Sequence, residues 1–140
     1  MTPTRCEECG AEYTEPGDSC QARFDQLLAL DHSRQEPWGS RHGLAFAAFA
    51  VQHPTRFPAG SVTQARELIE RVVVAREPLA HVVAEFRTRR APQSVAPPPS
   101  VFRTFSVTIA DLGSFDAAAY PDALLRWARA AVAAPSQGAV

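Results

Sequence analysis

The sequence has no lysine and no asparagine, and it has a single methionine. All 14 basic residues are arginine, against 15 acidic ones, for a net charge of −1 at pH 7. The missing lysine reads as the codon usage of a GC-rich genome and carries no function. The missing charge surplus says more. A general nucleic-acid binder shows a basic excess or stripe. The only concentrated basic run here, Arg87, Arg89 and Arg90, reads as a solvated helix end. Long hydrophobic runs are absent too. The longest covers residues 44–51, where a membrane-spanning helix needs about 20 apolar residues. The first ten residues are polar and contain cysteine, unlike a secretory leader. A soluble, cytoplasmic protein is expected. Cysteine is scarce, with three residues, two of them in a C-x-x-C pair. That is too few for a disulfide framework, and in a reducing compartment the pattern reads as a metal site.

What is present gives a mainly α chain of one domain over residues 1–140, a helical bundle of about five helices. A cysteine knuckle occupies residues 5–20 and a four-helix core residues 18–90. A proline-rich linker follows at 91–100, then an extended segment and a last helix over 101–134, and a tail at 135–140. The centre is residues 42–54, the most apolar stretch, with His42 and His53 near its ends. Apolar nearly all round, it predicts a buried helix over about residues 38–52, ended by Pro54, which takes His53 out of helical geometry. In the knuckle, Cys6 and Cys9 have the spacing that turns two thiolates toward one ion. Gly10 falls where the chain folds back with positive φ. Residues 11–17 read as a polar loop ending in a Pro16-Gly17 turn.

Helix one opens at Asp18, with Gln21 answering as a capping box, and Phe24, Leu27, Leu28 and Asp31 follow at helical spacing. Ser61 and Gln64 form a second capping box opening helix three, which buries Ala65, Leu68, Ile69, Val72 and Val73. Helix four, over residues 78–89, turns Leu79, Val82, Val83 and Phe86 inward, with Pro78 in its first turn. The prolines at 92, 97, 98 and 99 predict an extended linker. Phe105, Val107 and Ile109 share a face if extended, as a lone segment on the helices. The last helix, residues 121–134, turns Leu124, Leu125, Trp127, Ala128 and Ala131 inward.

Three thiolates need a fourth ligand for a closed tetrahedral zinc site. The candidates are His32, His42, His53, His81 or a carboxylate. His42 and His53 share a helix face but lie roughly 16 Å apart along the axis, so they cannot both hold one ion. In an antiparallel hairpin turning near residue 35, Cys20 lies level with residue 50. That brings His53 to the knuckle and leaves His42 level with Leu28, deep in the core. One zinc ion on Cys6, Cys9, Cys20 and His53 is the expected site. Cys20, in the first turn of helix one, gains from the partial positive charge there, which favours thiolate.

These residues resemble a known family. Cys6, Cys9-Gly10, Cys20, Phe24 and residues 27–31 are similar to its opening. His42 with Leu44, and Val51-Gln52-His53-Pro54, are similar to its central signature. Thr108-Ile109-Ala110-Asp111 and Trp127-Ala128 are similar to its C-terminal part. The family is a set of small, uncharacterised bacterial proteins, a domain of unknown function. The likeness runs from Cys6 to about residue 134, with Val51 where leucine is expected and Asp31 where glutamate is expected. It implies that His42, His53 and Asp111 belong to the family pattern, and it implies no activity.

Three functions compete. A structural zinc knuckle on a module that binds a protein partner or regulates is preferred. The alternative is an enzyme, metal- or His/Asp-dependent, with a pocket around His42 and Asp111 acting as an acid–base pair. Nucleic-acid binding through the knuckle ranks last, because Glu7, Glu8, Glu12 and Glu15 surround it and repel phosphate. No residue is assigned a substrate.

Overall fold

The computed structural model describes residues 3–89, 103–133 and 136–137. Among them the chain is mainly helical. The helices are α1 (Cys20–His32), α2 (His42–Gln52), α3 (Ala59–Ile69), α4 (Leu79–Arg87) and α5 (Tyr120–Val132). Single turns at Gly39–Arg41, Pro54–Arg56 and Ile109–Leu112 are 3-10 helical, and a π-helical stretch, Glu70–Val74, continues α3. The expected linker at 91–100 lies outside the described residues.

Helix α2 is the centre of the core. Leu44, Ala45, Ala47, Ala48, Phe49, Ala50, Val51 and Gln52 are all buried. Its small alanines let neighbouring helices approach closely, and α3 and α5 pack along it. One polar side chain is tolerated in this interior because it is fully paired. Gln52 accepts from Trp127 Nε1 of α5 at 2.9 Å and donates to the Val107 carbonyl at 2.8 Å. The pair fixes α2, α5 and the segment before the last 3-10 turn in one arrangement.

Helices α1 and α2 run antiparallel, and three side-chain pairs mark the register. Cys20 lies with His53. The Phe24 and Phe49 rings stack with centroids 4.0 Å apart. Asp31 bonds His42 at 2.9 Å. This is three residues away from the expected register, in which Cys20 met residue 50. The reason is the connection: the Gly39–Arg41 turn lengthens it, so the hairpin turns past residue 35. His42 consequently sits at the hairpin mouth with its side chain 40 % exposed, not deep in the core.

Local signals were read correctly in kind and misplaced by a few residues. The cap of α1 is Ser19, whose Oγ accepts from Ala22 N–H at 3.0 Å. Asp18 forms a two-pronged ion pair with Arg23 instead. Helix α3 begins at Ala59 behind Pro58, so the Ser61 capping box does not form. Pro58 already supplies the extended entry, and the helix starts at once. Residues 11–17 are not wholly loop. Glu12–Tyr13 form β2, antiparallel to β1 (Thr4–Arg5), pairing Thr4 with Tyr13.

The extended segment is neither lone nor extended throughout. Arg103–Thr104 form β3 and pair antiparallel with Ser136–Gln137 of the tail, β4. Ile109 lies in the last 3-10 turn, where it is buried. On α5, Leu124, Trp127, Ala128 and Ala131 face inward as expected, but Leu125 is 40 % exposed. It follows Leu124 by one position, about 100° round the helix. No helix among the described residues is long and apolar enough to cross a membrane.

Candidate metal centre

The first two cysteines sit on a tight turn between β1 and β2. Cys6 N–H donates to Ala11 O at 2.8 Å and Gly10 N–H to Cys6 O at 3.0 Å. Gly10 has φ 86°, a conformation glycine adopts without steric cost. The turn faces the start of α1, which delivers Cys20, and the end of α2, which delivers His53. The four ligand atoms all lie within 4.8 Å of one another. Cys9, Cys20 and His53 are buried and Cys6 is half-buried. No disulfide links the cysteines, and Cys9 Sγ approaches Cys20 Sγ to 3.5 Å.

His53 is fixed in place beside the sulfurs. It caps α2 with φ −131° and ψ 59°. Its Nδ1 N–H donates to the Phe49 carbonyl at 2.8 Å, and its ring stacks on that of Phe49 at 4.1 Å. Nε2 is buried and has no hydrogen-bond partner. A buried polar nitrogen is normally paired. A ring whose Nδ1 is committed to a carbonyl turns Nε2 to the sulfurs, and Nε2 becomes a metal donor once its proton is displaced.

The electrostatics of the chain alone fit a cation at the centre. Burial pushes the His53 imidazole down, but the Cys20 and Cys6 sulfurs beside it win and hold it up at about 9. Cys6 is driven far below the usual thiol range by hydrogen bonds from Cys20 and Cys9. Cys9 is pushed well above that range by the Cys20 and Cys6 sulfurs and by burial. Several sulfurs crowded together cannot all carry charge without a positive partner. A divalent ion reverses that constraint and stabilises every thiolate.

Two supports lie around the donors. Tyr13 O–H donates to Cys20 Sγ at 3.0 Å, and burial with the neighbouring Cys20 raises its pKa, so it stays a donor. Glu8, at the knuckle tip, accepts from Thr55 Oγ1 at 2.6 Å, Thr55 N–H at 3.0 Å and Arg56 Nε at 3.0 Å. The knuckle is thereby clamped to the turn that follows His53. Neither was foreseen. Tyr13 was legible in the alternation of Ala11 (buried), Glu12 (exposed) and Tyr13 (buried). Glu8 left no local signal, because its partners lie 47 and 48 positions away.

The remaining candidates go elsewhere. His81 is exposed on α4 and His32 at the end of α1. Asp111 is not the partner of His42. Its carboxylate accepts from Thr108 N–H at 2.8 Å, closing a capping box on the last 3-10 turn. The carboxylate that meets His42 is Asp31. Asp31 is the polar member of the buried face of α1.

A family model described as "Family of unknown function (DUF5946)" matches residues 4–136. No curated protein and no solved structure matches the chain.

Proposed function

The chain belongs to the family of unknown function DUF5946, and from that premise we propose that it is a zinc protein. The ion is held by Cys6, Cys9, Cys20 and His53 as a structural knuckle on a module that binds a protein partner or regulates one. The observation that carries this is the buried, unpartnered Nε2 of His53 beside three sulfurs. Three sulfurs and one imidazole nitrogen form the donor set of a closed tetrahedral zinc site, and soft sulfur disfavours magnesium or calcium. Burial of three of the four donors supports a structural rather than catalytic ion, because a catalytic zinc keeps a position open to substrate. The ion would join the N-terminal hairpin to the central hairpin of α1 and α2, adding to the buried Ala11 and Tyr13 and the Glu8 clamp that already hold a ribbon too short to stand alone. The exposed carboxylates of Glu7, Glu12 and Glu15 favour a protein partner over a phosphate backbone.

The test is metal content of anaerobically purified protein beside His53→Ala and His42→Ala variants. One zinc per chain, lost or weakened with H53A and retained with H42A, is the expected result. Metal lost with H42A and kept with H53A overturns the ligand set.

A further inference from the structure

The other end of the α1–α2 hairpin carries a second constellation, independent of the sulfur cluster. A cavity of about 720 Å³ is lined there by Asp31, His32, Arg34, Ser40, His42 and Arg87, with Gly39, Gly43, Ala80 and Val83 completing its wall. A carboxylate accepts hydrogen bonds, so His42 Nδ1 carries the proton and donates it to Asp31 Oδ2 at 2.9 Å. Nε2 is then the lone-pair nitrogen of a half-exposed ring on the cavity wall. The Asp31 side chain is fully buried, and its Oδ1 has no hydrogen-bond partner. Its one bond within the described side chains is the one that orients the His42 ring. Behind Asp31, Tyr120, also buried with its hydroxyl unpartnered, is kept from ionising by burial and by the Asp31 charge.

The cavity rim is cationic. His32 lies beside His42, ring centroids 5.7 Å apart. Arg34 and Arg87 are exposed and, like Arg66, Arg76, Arg126 and Arg129, have no ion-pair partner among the described residues, and they are the two of these that line the cavity. Arg34 has φ 61°, strained for a side-chain-bearing residue. A Cβ at Gly39 would lie 3.0 Å from the Arg34 backbone, so glycine is what lets the turn close on it. A Cβ at Gly43 would lie 2.9 Å from Val83 Cγ2. That close approach seats α4 against α2, and Arg87 follows Val83 by one helical turn on the same face. Two guanidinium groups and an imidazole exceed what a monoanion requires, and guanidinium matches phosphate oxygens in geometry.

We propose that this cavity is a binding site for a small phosphate monoester, gripped as the dianion by Arg34 and Arg87. His42, oriented by Asp31, faces the ligand as the group that takes or gives a proton at Nε2. Asp31 acts through His42 and is a positioning residue. The site does not depend on the metal reading, and neither falls with the other.

The experiment is a titration of the full-length, isotopically labelled protein with phenyl phosphate, read on the His32 and His42 ring resonances. Inorganic phosphate runs in a parallel arm. Saturable shifts at His42, weakened at least about tenfold in an Arg34→Ala/Arg87→Ala variant, are expected. Zinc content and thermal midpoint measured on the same samples should be unchanged. Asp31→Asn should alter the His42 tautomer signature in long-range proton–nitrogen spectra while changing affinity far less than R34A/R87A. No saturable shift at millimolar ligand, equal affinity in the double variant, or tighter binding of inorganic phosphate than of the ester would each overturn the proposal.

Discussion

The hydroxyl of Tyr13 donates a hydrogen bond to the sulfur of Cys20 across 3.0 Å, with both side chains buried. The bond joins the second strand of the N-terminal ribbon to the first residue of α1. A donor on a thiolate spreads its charge and fixes its direction, and such outer partners are worth about 10–100-fold in metal affinity. Tyr13→Phe is therefore expected to keep the fold and lose metal to a chelator at a concentration about tenfold lower than the wild type does. A chelator titration followed by released zinc checks this. Equal retention would show that the tyrosine only fills space.

Removing the ion should loosen the N-terminal region before the bundle. The ribbon is short, and without an ion its sulfurs no longer tie it to α1 and α2. Chelation is expected to lower the thermal midpoint by on the order of 10 °C. Amide exchange should rise in residues 4–20 while α2 and α5 stay protected. Uniform exchange across the chain would instead make the ion essential to the whole fold.

The acid side of the stability profile should carry the signature of Asp18. Hydrogen bonds from Arg23 hold its carboxyl below the usual value, against a smaller opposing push from burial. A carboxyl depressed in the folded state contributes stability above its unfolded value, about 3.9. That contribution is lost as pH falls through the lower folded value. Asp18→Asn should remove this part of the acid limb and lower stability at neutral pH. Denaturant midpoints at pH 7 and below pH 4 measure it, and a variant that loses the same amount at both would contradict the assignment.

Gly43 offers a prediction with its own rescue. Alanine normally improves a helix by about 1 kcal/mol over glycine. Here the added Cβ meets Val83 Cγ2, and overpacking of this kind costs about 1–3 kcal/mol. Gly43→Ala should be destabilising alone. Combined with Val83→Ala, which removes the obstructing methyl, it should cost less than the separate effects together. Chemical denaturation of the two single variants and the double variant closes the cycle.

Gln52→Leu should cost about 2–4 kcal/mol, because it strands the Trp127 indole N–H and the Val107 carbonyl in a buried setting. Trp127 fluorescence reports the same site directly. A leucine variant as stable as wild type would mean that water reaches both groups.

Much of this architecture was legible because its signals are periodic. The all-round apolar pattern of residues 42–52 could only be satisfied by burial, and α2 is buried. The sulfur cluster was legible because C-x-x-C spacing and a helix start place three side chains by local geometry. Its fourth member needed only the antiparallel sense of one hairpin, which tolerated an error of three residues in register. What could not be read was non-local. Glu8 meets Thr55 through chain folding alone, and the pairing of β3 with β4 joins segments with no local mark. The His42–Asp111 idea failed for the same reason. Sequence spacing cannot say which carboxylate meets a histidine, and Asp31 was the nearer claimant once the turn between α1 and α2 lengthened. The caps at Asp18 and Ser61 were misplaced because an ion pair and a proline competed for the same helix starts.

The order in which the chain supplies the four donors has a consequence during synthesis. Three sulfurs are complete once residue 20 has been made, but the imidazole arrives with residue 53, after the whole of α1 and α2. A growing chain therefore offers an incomplete, sulfur-only half-site before it offers a closed one. An ion bound there early would gain its fourth donor only after α2 is complete, and ligation by His53 would then tie the end of α2 to the start of α1.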